Sequence, residues 1–128
     1  MNEKVIKTLK ENMWDLATYG RELNVVPVAF KAVTEDGKLL VGAVFLKTTL
    51  DNIEENGQIA VSVWNSSTLE GYQIKGTAKY VTCGEVVDIF KPQVEAWSKG
   101  MATAKGALII TPQRVIVTTP GNENKEEL

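Results

Sequence analysis

Between Gly71 and Cys83 the chain alternates with a period of two. Tyr72, Ile74, Gly76, Ala78 and Tyr80 fall on one side, and Gln73, Lys75, Thr77 and Lys79 on the other. That period belongs to a β-strand with one buried and one polar face, and it excludes a helix over this stretch. Ile59, Val61 and Val63 alternate in the same way with Ala60, Ser62 and Trp64, and the polar loop 65–70 joins the two strands. Further upstream, Asp36-Gly37 is a strong hairpin signal between the β-rich run Leu23 to Val33 and the returning strand Leu39 to Phe45. The chain is therefore built on antiparallel strands joined by short turns.

Other segments fit around these strands. Val5, Ile6, Leu9 and Met13 recur at helical steps, so residues 2–12 are expected to form an amphipathic helix that packs over one opening of the β structure. A short first strand runs from Met13 to Thr18 and closes in the turn Tyr19-Gly20-Arg21-Glu22. Pro27 interrupts the second run, which places that strand at an edge, at a bulge, or turned toward a ligand. Val87, Phe90, Val94, Trp97 and Met101 mark another helix, and Pro92 suggests that the helix proper begins at Lys91 or Pro92. Ala107 to Thr111 and Arg114 to Thr119 are consecutive strand segments or one bent strand, and residues 120–128 have the composition of a flexible tail.

The expectation is a single domain over residues 1–128, mainly β with flanking helices. About six antiparallel strands would form a closed or nearly closed barrel. A small barrel has a packed interior, so a ligand belongs on an outer face, where two copies meet.

Composition narrows the chemistry. A formal net charge of -2 offers no basic footprint for nucleic acid, and no apolar run reaches the roughly 20 residues of a membrane span. A cytoplasmic location is expected, consistent with Cys83 as the only cysteine, which reads as a small core residue. The chain has no histidine, which removes the commonest general base, metal ligand and haem ligand together.

One stretch stands out as a site. Gly42-Ala43-Val44-Phe45-Leu46-Lys47-Thr48-Thr49-Leu50-Asp51-Asn52 is a strand that delivers a lysine and two threonines to a helix start. The first N–H groups of a helix are free and its dipole favours an anion, so the segment suits a phosphate. Taken alone it reads more simply as a helix capped by Thr48 or Thr49 beside a solvated lysine, with the helix ending near Asn56-Gly57. Gly42 leaves room for a second backbone or a flat ligand.

Together with Leu16-Ala17-Thr18, Asn24-Val25-Val26-Pro27-Val28, Val61-Ser62-Val63-Trp64 and Gly71-Tyr72-Gln73-Ile74-Lys75-Gly76, this stretch resembles the pyridoxamine-phosphate-oxidase-like FMN-binding split-barrel proteins. The resemblance extends from about Leu16 to about Thr111. It implies a six-stranded split barrel that forms a homodimer, with one FMN in each interface cleft. By that likeness Lys47 and Thr48 bind the flavin phosphate and Asn52 supports their turn. The backbone of Val26, Pro27, Val28, Val44 and Phe45 faces the ring, and Gln73 reaches in from the other subunit.

The family's vitamin-synthesising oxidases place arginine and histidine near the C-terminus, and this chain has no histidine and ends in a polar tail, so pyridoxamine-phosphate oxidation itself is not expected. The missing histidine argues equally against its haem-handling relatives. The implied function is an FMN-dependent oxidoreductase or electron carrier with a small-molecule redox partner. The alternative is a non-catalytic module for a flavin, a deazaflavin or another phosphorylated ligand. Trp14, Trp64 and Trp97 read as core or interface residues.

Overall fold

A computed structural model describes residues 1–128. Seven strands and three helices follow one another as α1 (Glu3–Glu11), β1 (Trp14–Thr18), β2 (Asn24–Val28), β3 (Lys31–Val33), β4 (Leu39–Ala43), α2 (Thr48–Asn56), β5 (Gln58–Trp64), β6 (Gly71–Val81), α3 (Glu85–Ser98) and β7 (Gly106–Val117). All seven strands belong to one antiparallel sheet in the order β2-β1-β5-β6-β7-β4-β3.

That order requires the sheet to curl. β2 and β3 lie at opposite edges, yet only Ala29 and Phe30 separate them in the chain. Three Cα–Cα steps span about 11 Å at most, whereas the edges of a flat seven-stranded sheet stand about 29 Å apart. The edges are therefore brought together, and with no ladder between β2 and β3 the result is a barrel split along one seam. The expected strand from Leu23 to Val33 is thus two strands broken at the seam, which is why seven are seen where six were expected. Pro27 sits on the edge strand β2 opposite Asp15, where no second neighbour needs its missing N–H. The bend is tied to β4 by the Gly42 N–H, which donates to the Phe30 carbonyl at 2.8 Å.

The inward residues of the alternating strands form the core. Trp14, Leu16, Val61, Val63, Ile74, Leu108 and Ile110 are buried there with Val5 and Leu9 of α1. Asn2 caps α1 by accepting from the Val5 N–H at 3.0 Å. The helix closes one opening: the Trp14 indole N–H donates to the Leu9 carbonyl at 2.8 Å, and the Lys31 ammonium donates to the same carbonyl at 3.3 Å. Burial lowers the pKa of Lys31 from the ordinary lysine value.

Several local expectations are corrected by packing. The last two β-rich runs are the single strand β7, with a register shift where Lys75 faces Arg114 and Gly76 faces Pro112. α3 begins at Glu85 and carries Pro92 inside it. An interior proline costs about 3 kcal/mol. Burial of Val87, Phe90 and Val94 against Leu40, Ala104 and Ala107 offsets that cost. Cys83 is exposed at the turn before α3 rather than in the core. The segment 120–128 returns along β7, with the Leu128 N–H donating to Val115 O at 2.8 Å and Arg114 paired with Glu127 at 2.8 Å. No helix is long and apolar enough to cross a membrane.

Candidate functional site

β4 ends at Ala43, and Val44, Phe45 and Leu46 carry the chain across the surface to α2. Phe45 is 80% exposed, although its size and apolarity favour burial. A cavity opens on each side of it, and Val44, Phe45 and Leu46 line both. The first, about 380 Å³, is walled by Val26, Pro27 and Val28 of β2, by Phe30 at the seam, by Gly42, and by Trp97 of α3. It holds no titratable side chain. The second, about 430 Å³, is lined by Lys47, Leu50, Tyr80 and Lys105. The two lysines there make no ion pair within the fold.

The start of α2 borders the second cavity. Lys47 occupies the cap position, and no side chain caps the helix. Thr49 is buried, and its hydroxyl oxygen instead accepts from Asn24 Nδ2 at 2.9 Å, which pins α2 to the edge strand β2. The expected threonine cap is therefore absent. Within the helix the first bonded amide is that of Asp51, which donates to the Lys47 carbonyl at 3.0 Å. The amides of Thr48, Thr49 and Leu50 are left with no intrahelical carbonyl to meet, which is the polarity an anion requires.

The sequence-expected residues thus divide. Val26, Pro27, Val28, Val44 and Phe45 converge on one cavity, and Lys47 lines the adjoining one with Thr48 next to it at the helix start. Asn52 faces neither cavity. It is buried, its Nδ2 donates to Thr18 Oγ1 at 3.1 Å and to the Glu22 carbonyl at 3.0 Å, and its Oδ1 has no hydrogen-bond partner. It fastens α2 to the turn between β1 and β2, where a Cβ at Gly20 would stand 2.6 Å from that Oδ1. Gln73 lies on the outward side of β6 opposite Ser62 and Ile116, away from both cavities. On the same outward side of the sheet Val25 and Trp64 are exposed, with Asp15, Ser62 and Lys75 among them. At Gly42 the missing side chain makes room for the α3 ring, because a Cβ would stand 2.8 Å from Phe90 Cγ.

Phe30, Tyr80, Trp97 and Lys105 were not singled out as site residues by the sequence. Lys105 arrives because its N–H donates to the Ala43 carbonyl at 3.1 Å, which sets the start of β7 beside the end of β4. That pairing leaves no local mark in the sequence. Trp97 follows the helical stripe of Val87, Phe90 and Val94, and so looks like another core position.

No protein-family model matches the chain. Over 114 residues it is 31% identical to an uncharacterized protein of Methanocaldococcus jannaschii, covering 86% of this chain and 75% of that one. Among solved structures, an FMN-binding protein from Syntrophomonas wolfei has a TM-score of 0.79 at 16% identity, over 94% of this chain and 87% of that one. A candidate pyridoxamine 5'-phosphate oxidase from Lactobacillus delbrueckii has a TM-score of 0.73 at 16% identity, over 91% and 93%. The chain thus belongs to one family with the archaeal protein, and its fold is the split barrel of the FMN-binding and pyridoxamine 5'-phosphate oxidase-like structures.

Proposed function

We propose that the protein binds FMN as a homodimer and serves as a flavin-dependent oxidoreductase or electron carrier. The observation that carries this reading is the pair of adjoining cavities, one apolar and one cationic, on the two sides of Phe45. FMN has the matching asymmetry, a wide aromatic ring joined to a dianionic phosphate. Lys47, Lys105 and the uncapped amides of α2 would hold the phosphate, and charge-assisted hydrogen bonds of this kind contribute about 1.5 to 3 kcal/mol each. Val26, Pro27, Val28 and Val44 would seat the ring and exclude water from it. Bound there, the flavin supplies electron or hydride transfer, and the protein supplies position and dielectric. The outward face around Val25, Trp64 and Gln73 is where a second copy would sit.

Absorption of the purified protein and titration with FMN test this reading. Wild-type protein is expected to bind FMN, and Lys47→Ala to bind about tenfold or more weakly, the equivalent of one charge-assisted contact. A wild-type protein that takes up no FMN overturns the proposal, and unchanged affinity in Lys47→Ala removes the phosphate assignment. A second reading, a non-catalytic module that binds a flavin or another phosphorylated ligand, draws support from the absence of any acid or base side chain in the ring cavity. Rapid bleaching of the bound flavin by NADH or NADPH would decide for the oxidoreductase or electron carrier, and an inert flavin for the binding module.

A further inference from the structure

The ring cavity is completed by a residue from a distant element. Trp97, on the last turn of α3, meets Phe30 edge-on with ring centroids 5.8 Å apart and planes at 70°. It lines the cavity with Pro27, Gly42, Val44 and Phe45. Its side chain is nevertheless 64% exposed, so it is not a core residue despite its place in the helical stripe. The backbone that carries it is held firmly. Val87, Phe90 and Val94 bury the inner face of α3, and beyond Trp97 the helix stops at Lys99 and Gly100, both left-handed with φ of 56° and 84°. The Ser98 hydroxyl closes this end by accepting from the Ala102 N–H at 2.9 Å and donating to the Ala102 carbonyl at 3.0 Å. A fixed backbone thus presents a large indole over an apolar cavity, touching the barrel with only part of its surface.

We propose that Trp97 is the outer wall of the cofactor site, a specificity-determining residue whose indole covers part of the flavin ring and limits which redox partners reach it. This rests on the FMN reading above. An indole is large, rigid and apolar and gains by packing on another aromatic surface. Phe30 holds it at the rim of the cavity without filling the space beneath. The cavity has no charged group, so the part of a redox partner that enters past Trp97 is apolar or weakly polar.

The test compares wild type, Trp97→Phe and Trp97→Ala titrated with FMN, reading flavin emission, affinity and quenching of the bound flavin by iodide. An indole in contact with a flavin quenches its emission, so bound FMN should be dim in wild type and brighter in both variants. Trp97→Ala should weaken binding by about two- to tenfold, the size of a lost aromatic contact, and admit iodide more readily. Trp97→Phe should keep most of the affinity while losing the quenching, which separates a wall from a general structural role. If wild type binds FMN and both variants match it in emission, affinity and iodide access, Trp97 is not a wall and the cofactor reading stands alone. If wild type binds no FMN, both proposals fall.

Discussion

Inside the barrel, 17 buried residues from α1, α2 and every strand except β3 pack into one apolar cluster. Outside it, beneath α3, only 6 do so: Leu40, Val87, Phe90, Val94, Ala104 and Ala107. The first cluster closes the sheet on itself, whereas the second fastens one helix to the outward side of β4 and β7. Their consequences differ accordingly. Loss of an inner residue is expected to weaken the whole barrel, and a change in the outer cluster to move α3, and with it Trp97, relative to the apolar cavity beside Phe45. The inner cluster closes the fold, and the outer one sets where α3 places Trp97.

Substitutions can break or sharpen that contrast. The largest effect is expected at Trp14, fully buried and bonded to the Leu9 carbonyl. Trp14→Ala should cost about 3 to 5 kcal/mol, seen as a lower urea midpoint at unchanged slope. A loss below about 1 kcal/mol would mean that the inner cluster does not carry the fold.

Next comes the outer cluster. Gly42→Ala places a Cβ 2.8 Å from Phe90 Cγ and 3.0 Å from Phe90 Cβ, and should cost about 1 to 3 kcal/mol by overpacking. Because the strain is relieved by moving α3, the near-ultraviolet signal of the Trp97–Phe30 pair should change as well. Adding Phe90→Leu should recover part of the loss, and strict additivity of the two substitutions would show that they do not meet.

The smallest effect is polar. Asn24→Ala removes the hydrogen bond to Thr49 that pins α2 to the edge strand and should cost about 0.5 to 1.5 kcal/mol. The change should be local, with faster amide exchange at the start of α2 and little elsewhere. Exchange that rises evenly through the barrel would blur the distinction between closing the fold and shaping the site.

Much of this was legible in the residues. The alternation in β5 and β6, the hairpin at Asp36-Gly37, the first helix and the glycine stop of α2 at Gly57 each follow from neighbours along the chain. Val26, Pro27, Val28, Val44, Phe45 and Lys47 came from the family likeness, and the fold brings the first five to one cavity and Lys47 to the adjoining one. Pro92 misled because its local cost is overridden by apolar burial that only the folded α3 makes. The threonine cap misled because Lys47 takes the cap position, which puts Thr48 and Thr49 inside the first turn, where Thr49 accepts from Asn24, remote in the chain. Asn52 was expected to support the turn at the start of α2, and the fold shows the support as hydrogen bonds from its Nδ2 to Thr18 and to the Glu22 carbonyl, contacts no local pattern marks.

The sequence by itself determined the period of each strand, the amphipathic helices and a chemistry without histidine, because these depend on residue type and on spacing along the chain. Only the tertiary structure decided that the sheet splits between β2 and β3, that Lys105 joins Lys47, and that Trp97 lines the apolar cavity beside Phe45. Those features depend on curvature summed across the whole sheet and on contacts between distant segments. A local pattern carries no record of either.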